Sequence, residues 1–197
     1  MTTAGHPPMI MILRHAEKPK SGRPHGIDFD GVHDHNSLTV AGWVRAGAMV
    51  ELFAPVTREP APGLRRPDAI YGTAFHGGRS RRAFQSVAPL AARLGIDIDR
   101  SFAHGEEREL AERLITHTGA TVVSWHHGTI PRIVEHLGPV TPEPPREWPP
   151  DRFDVIWTFT RSGDGWLFDQ VPELLLPDDL PDPISVSVDQ GAPTARP

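Results

Sequence analysis

Apolar positions in this chain gather in short runs that stop abruptly at polar pairs. Met9–Leu13 (MIMIL) is an unbroken apolar stretch ending at Arg14-His15. That is the pattern of a buried strand handing two polar side chains to the edge of a sheet. Ala120–Ser124 (ATVVS) runs in the same way into Trp125-His126-His127-Gly128. Between them the spacing changes to threes and fours. Trp43, Ala46, Gly47, Val50 and Phe53 predict a helix over Leu38–Phe53, with Thr39 placed to cap its start. Ala83, Val87, Leu90, Ala91 and Leu94 predict another over Arg81–Leu94, stopped by Gly95. Asp68–Tyr71 and Ile96–Ile98 read as short strands. Glu106–His117 reads as a helix with its acids in the first turn, where the dipole favours them. Ile130–Leu137 reads as a helix with Pro131 in its first turn.

Beyond this the grammar changes. Thr141–Pro150 is a proline-rich loop. Phe153, Val155, Trp157 and Phe159 recur with strand periodicity, Arg161–Gly165 is a turn, and Trp166–Val171 pairs back as a hairpin. Strands alternating with helices predict an α/β protein with a mainly parallel sheet covered on both faces. One domain is expected over residues 1–176, followed by a Pro/Asp-rich tail, peripheral or disordered, over residues 177–197. In such sheets sites form at the carboxyl ends of the strands, where both polar pairs fall.

With 197 residues, 38% of them hydrophobic, the chain suits one full-sized core. Its net charge of −5, with no dense Lys/Arg run, leaves no footprint for nucleic acid. The absence of cysteine excludes disulfides, thiol catalysis and zinc-thiolate sites. The opening residues carry no basic leader, and their apolar run is too short for a signal or membrane segment. A cytoplasmic protein without a membrane partner is the expectation.

Two histidines delivered from two strand ends, one beside an arginine, suit chemistry on a phosphate. A neutral imidazole can attack a phosphoryl group and carry it covalently, provided that one tautomer is held. Cations must balance the charge as the group transfers, and arginine's planar fork binds phosphate oxygens in pairs. Arg14 supplies one clamp beside His15. Arg79, Arg81 and Arg82 open the second long helix and can supply another. His127 or His126 would face the same phosphate from the opposite side.

The blocks LRHAEKP (Leu13–Pro19), SLTVAGWVRAGAMV (Ser37–Val50), RRAFQSVAPLAARLGI (Arg81–Ile96) and VVSWHHGTI (Val122–Ile130), in this order and spacing, resemble those of the histidine phosphatase, or phosphoglycerate mutase-like, superfamily. The resemblance covers most of Met9–Leu137. It implies a three-layer α/β/α sandwich and a phosphoric-monoester hydrolase that needs no metal or other cofactor. His15 would be the nucleophile, Arg14 and Arg82 the phosphate clamps, and His127 a hydrogen-bond donor to the phosphate. Neighbours on a strand point to opposite faces, so only one of the two histidines can enter the pocket; His127 is preferred to His126 because Gly128 follows it directly. The substrate would be a small phosphorylated molecule or a phosphoprotein. A protein-phosphohistidine phosphatase, a mutase-type phosphotransferase and a ligand-binding relative without catalysis are the competing readings.

The chain also departs from the family pattern. Ala16 replaces a glycine, Ser86 a threonine, and Lys18 a frequent threonine. The Glu17–Ser37 loop is long. The acid that protonates the leaving group has no clear position: Glu106 and Glu107 lie in the right loop but also read as first-turn helix acids. Arg79 or Arg81 can stand in for Arg82. The remaining histidines, His104 among them, read as structural or solvated, and His33-Asp34-His35 lacks a third metal ligand in sequence.

Overall fold

The computed structural model describes residues 6–21, 23–74 and 80–185. Among them the chain forms β1 (Met9–Arg14), α1 (Val40–Ala48), α2 (Val50–Phe53), β2 (Ala69–Gly72), α3 (Arg82–Leu94), β3 (Ile98–Asp99), α4 (Glu107–Ile115), β4 (Ala120–Trp125), α5 (Ile130–Glu135), β5 (Val140–Thr141), β6 (Val155–Ser162) and β7 (Gly165–Pro172). The strands make one seven-stranded mixed sheet in the order β3-β2-β4-β1-β6-β7-β5. β1, β2, β3 and β4 are parallel neighbours. The hairpin joins through β6, which is antiparallel to both β1 and β7, and β5 lies parallel to β7. No helix among the described residues is long and apolar enough to cross a membrane.

The apolar runs explain the centre of the sheet. β1 and β4 are buried at every residue, as continuous apolar strands covered on both faces should be. Alternation along β1 divides its side chains between two clusters. Ile10 and Ile12 pack with Leu110 and Leu114 of α4 and Ile133 and Val134 of α5. Met9, Met11 and Leu13 pack with Phe53 of α2 and Val87, Leu90 and Ala91 of α3. Full burial of such a side chain contributes about 2 kcal/mol, so these alternating contacts fix the register strongly.

Several elements differ from the expectation. The helix expected over Leu38–Phe53 is two helices, because the Met49 N–H turns to the carbonyls of both Arg45 and Gly47. Its start is as expected: the Thr39 side chain accepts from the Gly42 N–H. Gly95 ends α3 in the left-handed region with φ 66°, which glycine adopts without strain. Within the expected proline-rich loop, Val140–Thr141 pairs with β7. The hairpin turn is tighter than expected, with Ser162 already paired to Gly165.

Within the expected tail, residues 177–185 run along the surface, mostly exposed and pinned to the domain at Asp179 and Ile184. Asp179 accepts from both terminal nitrogens of Arg45, at 3.0 and 2.6 Å. Ile184 enters the larger apolar cluster, and its N–H donates to Gln170. Residues 186–197 lie outside the described residues.

Candidate active site

Pairing between β1 and β4 places Arg14 opposite Trp125. The ladder continues one step further, the His15 N–H donating to the Trp125 carbonyl at 3.0 Å. His15 and His126 are therefore the next residues out from two adjacent parallel strands, and their rings lie 6.1 Å apart. His15 is only 3% exposed. Its Nδ1 lies 2.8 Å from the Ala16 carbonyl, which can only accept, so the neutral ring carries its hydrogen on Nδ1. Nε2 is left as the lone-pair nitrogen, buried and without a partner. Burial pushes the His15 pKa well below 6.5, and the charges of Arg14 and Arg82 act in the same direction. The ring is therefore neutral at pH 7.

Two side chains of α3 and a glycine of α1 hold the loop that follows His15. Ser86 Oγ accepts from the Ala16 N–H at 2.8 Å while donating to the Arg82 carbonyl. Gln85 is fully buried; it accepts from the Leu38 N–H and donates to Ser37 Oγ. A side chain at Gly42 would meet the Glu17 carbonyl at 2.6 Å, so α1 approaches this loop only because that position is glycine.

Arg14 is buried, with its guanidinium 3.7 Å over the Phe153 ring. One terminal nitrogen donates to the carbonyls of Pro150 and Arg152, at 2.6 and 3.1 Å, and more weakly to Pro149. Nε and the other terminal nitrogen are buried without a partner, which leaves a two-donor edge of the fork unused. Burial lowers the Arg14 pKa to about 10, still charged at neutral pH. The Pro149–Phe153 segment that holds Arg14 carried no signal in the sequence, because it approaches only through the fold.

Arg82 donates to the carbonyls of His35, at 2.8 Å, and Ser37. The long Glu17–Ser37 loop thus positions this arginine, whose charge acts on His15, Arg14, Lys18 and His126. Arg81 is exposed and caps α3 from outside the helix; Arg79 lies outside the described residues. Lys18 is half-buried and its pKa is lowered by burial and then by Arg14 and Arg82. It is a third cation of the site that the sequence reading treated only as a departure.

His126, rather than His127, is the ring beside His15. The expectation applied strand alternation to both histidines, but β4 ends at Trp125. Both histidines belong to the turn into α5, and their rings lie 4.4 Å apart. Gly128 acts on His126: its N–H donates to His126 Nδ1 at 3.2 Å, and an added side chain there would press on the ring at 3.2 Å. Held this way, the neutral His126 ring carries its hydrogen on Nε2. Burial first, then neighbouring positive charge, lowers both His126 and His127 to about 4.

The two candidate acids separate clearly. Glu106 is exposed and accepts from the Ala103 N–H. Glu107 is 3% exposed and accepts from Trp125 Nε1 at 3.2 Å and the Gly105 N–H at 3.1 Å. Burial raises its pKa, but these hydrogen bonds outweigh it and hold the carboxyl below its ordinary value. Elsewhere His25 and His33 stack at 4.5 Å, and among the described residues no group of three acids or histidines could hold a metal ion.

No family model and no curated protein sequence matches the chain. Among solved structures, the chain is similar to a crystal structure provisionally named phosphohistidine phosphatase SixA, from Agrobacterium tumefaciens. The two share 16% identity with a TM-score of 0.46, over 84% of this chain and 99% of that one.

Proposed function

We propose that this protein is a phosphatase of the histidine phosphatase type, hydrolysing a phosphomonoester without a metal through a phosphohistidine on His15. The observation that carries this reading is the state of the His15 ring: Nδ1–H bound to the Ala16 carbonyl, Nε2 buried, neutral and free of any protein partner. A buried lone pair among cations is poorly placed for structure and well placed to attack an anion. The associated fold is a three-layer α/β/α sandwich of the phosphoglycerate mutase-like kind, supported by the helix-bearing clusters on both faces of β1.

In this mechanism Nε2 of His15 bonds to phosphorus as the ester oxygen leaves. The free Nε and Nη2 of Arg14, together with Arg82 and Lys18, stabilise charge on the phosphoryl oxygens. His126 donates from Nε2 to the same group. His127 adds a second ring beside it, under the field of Arg14. Water then attacks phosphorus, the P–N bond breaks, and His15 is regenerated.

The substrate class proposed is a small phosphorylated molecule. Hydrolysis of p-nitrophenyl phosphate in EDTA, by wild type and His15→Ala, tests the reading. Turnover by the wild type that vanishes in the variant supports it. Equal turnover by both proteins, or turnover abolished by EDTA, overturns it.

A further inference from the structure

We infer that His104 is the proton donor and acceptor of this reaction, oriented by the buried carboxylate of Glu107. The inference rests on the phosphatase reading above and supplies the acid–base group missing from it. His15, His126 and His104 form a row of three rings. The His15 and His126 centroids lie 6.1 Å apart, and His104 stands edge-on to His126 at 5.3 Å. His104 Nδ1 lies 3.7 Å from Glu107 Oε1. Its ring also packs on Trp125, 5.7 Å between centroids, and Trp125 donates to that same carboxylate oxygen.

The two acids of this loop are unsuited to the task themselves. Glu107 is sealed beneath the site and kept ionised by its hydrogen bonds, so it holds no proton to give. Glu106 is turned to the Ala103 backbone. His104 differs from both, with 37% of its side chain exposed to solvent. Arg14, Arg82 and Lys18 already make the site strongly positive, and a protonated imidazole there requires a compensating anion. Glu107, with Oε1 3.7 Å from His104 Nδ1, is that anion.

The balance is complete without a further reactant. In the first step His15 Nε2 bonds to phosphorus, the P–O bond breaks, and the leaving oxygen takes the proton of the His104 imidazolium. In the second step neutral His104 takes a proton from water as the water oxygen bonds to phosphorus and the P–N bond breaks. Phosphate departs, and His15 and protonated His104 are restored.

The experiment compares two esters on the same enzyme: phenyl phosphate, whose leaving group needs a proton, and dinitrophenyl phosphate, whose leaving group does not. For His104→Asn, the ratio of the dinitrophenyl to the phenyl rate should rise about a hundredfold over wild type, the lower range of general-acid contributions. Glu107→Gln, which keeps the shape and removes the charge, should raise the same ratio. A ratio is indifferent to the fraction of folded protein, so a purely structural role for either residue leaves it at the wild-type value. That outcome overturns the inference alone. A wild type inert toward both esters overturns the phosphatase reading, and this inference with it.

Discussion

Ser86 Oγ lies 2.8 Å from the backbone nitrogen of Ala16 and passes its own hydrogen to the Arg82 carbonyl. This hydroxyl ties the residue after the nucleophile to the first turn of the helix that bears the second arginine. Ser86→Ala leaves a buried N–H without an acceptor, and the cost should be about 1–3 kcal/mol. Urea unfolding should show a lower midpoint at unchanged slope. Ser86→Thr, which retains the hydroxyl, should lose less.

Removing the proposed nucleophile should abolish turnover. With a radiolabelled phosphoester and an alkaline quench, which preserves a P–N bond, the wild type should retain label on the protein and His15→Ala should retain none. Arg14→Ala or Arg82→Ala should lower kcat by a few hundredfold to about a thousandfold, as expected for lost charge-stabilising donors. Arg14→Ala should also destabilise, because its guanidinium gathers three backbone carbonyls. Steady-state kinetics and thermal melting separate the two effects.

The two adjacent histidines should not be equivalent. His126 is one ladder step from His15, with its ring fixed by Gly128. His126→Ala should therefore reduce kcat/KM more than His127→Ala. Gly128→Ala, which crowds the His126 ring, should resemble a mild form of the His126 variant. A larger loss in the His127 variant would reverse the assignment.

Acid should weaken the fold through these rings. His15, His126 and His127 all have pKa values lowered from 6.5 in the folded protein. Between about pH 6.5 and pH 4 the unfolded chain binds protons that the folded one refuses, so stability falls as pH falls. His126→Asn should flatten this dependence, measured as the urea midpoint against pH. The nucleophile should stay neutral well below pH 6.5, so the acid limb of kcat/KM should not follow an ordinary histidine titration.

Arg45 faces three carboxylates, Glu17, Glu173 and Asp179, all within 2.8 Å. One positive charge cannot balance three negative ones, and burial pushes Glu173 up to about 8 from 4.5. Here the sign is opposite: the folded protein binds the extra proton, so this group costs stability as pH rises from about 5 to 8. Glu173→Gln should gain on wild type across that window. A constant difference between the two proteins would show that Glu173 does not titrate there.

Much of the fold was written in local pattern. The unbroken apolar runs of β1 and β4, the three-and-four spacing of α3, the Thr39 cap and the Gly95 stop depend on side-chain periodicity and backbone preference, which are properties of neighbouring residues. Arg14-His15 and the His126-His127 pair were equally legible, because polar residues ending a buried run must emerge at a sheet edge. Tertiary structure decided which groups meet. Strand register set His126, not His127, beside His15, since alternation stops where β4 ends. Pairing at long range brought Pro149–Phe153 under Arg14, the Glu17–Ser37 loop onto Arg82, and residues 177–185 onto Arg45. The hydrogen bond from Trp125 buried Glu107 and not Glu106, a choice that spacing had left open. None of these contacts is between sequence neighbours, so composition and spacing could not reveal them. They follow from closing one core around a sheet whose order differs from its sequence.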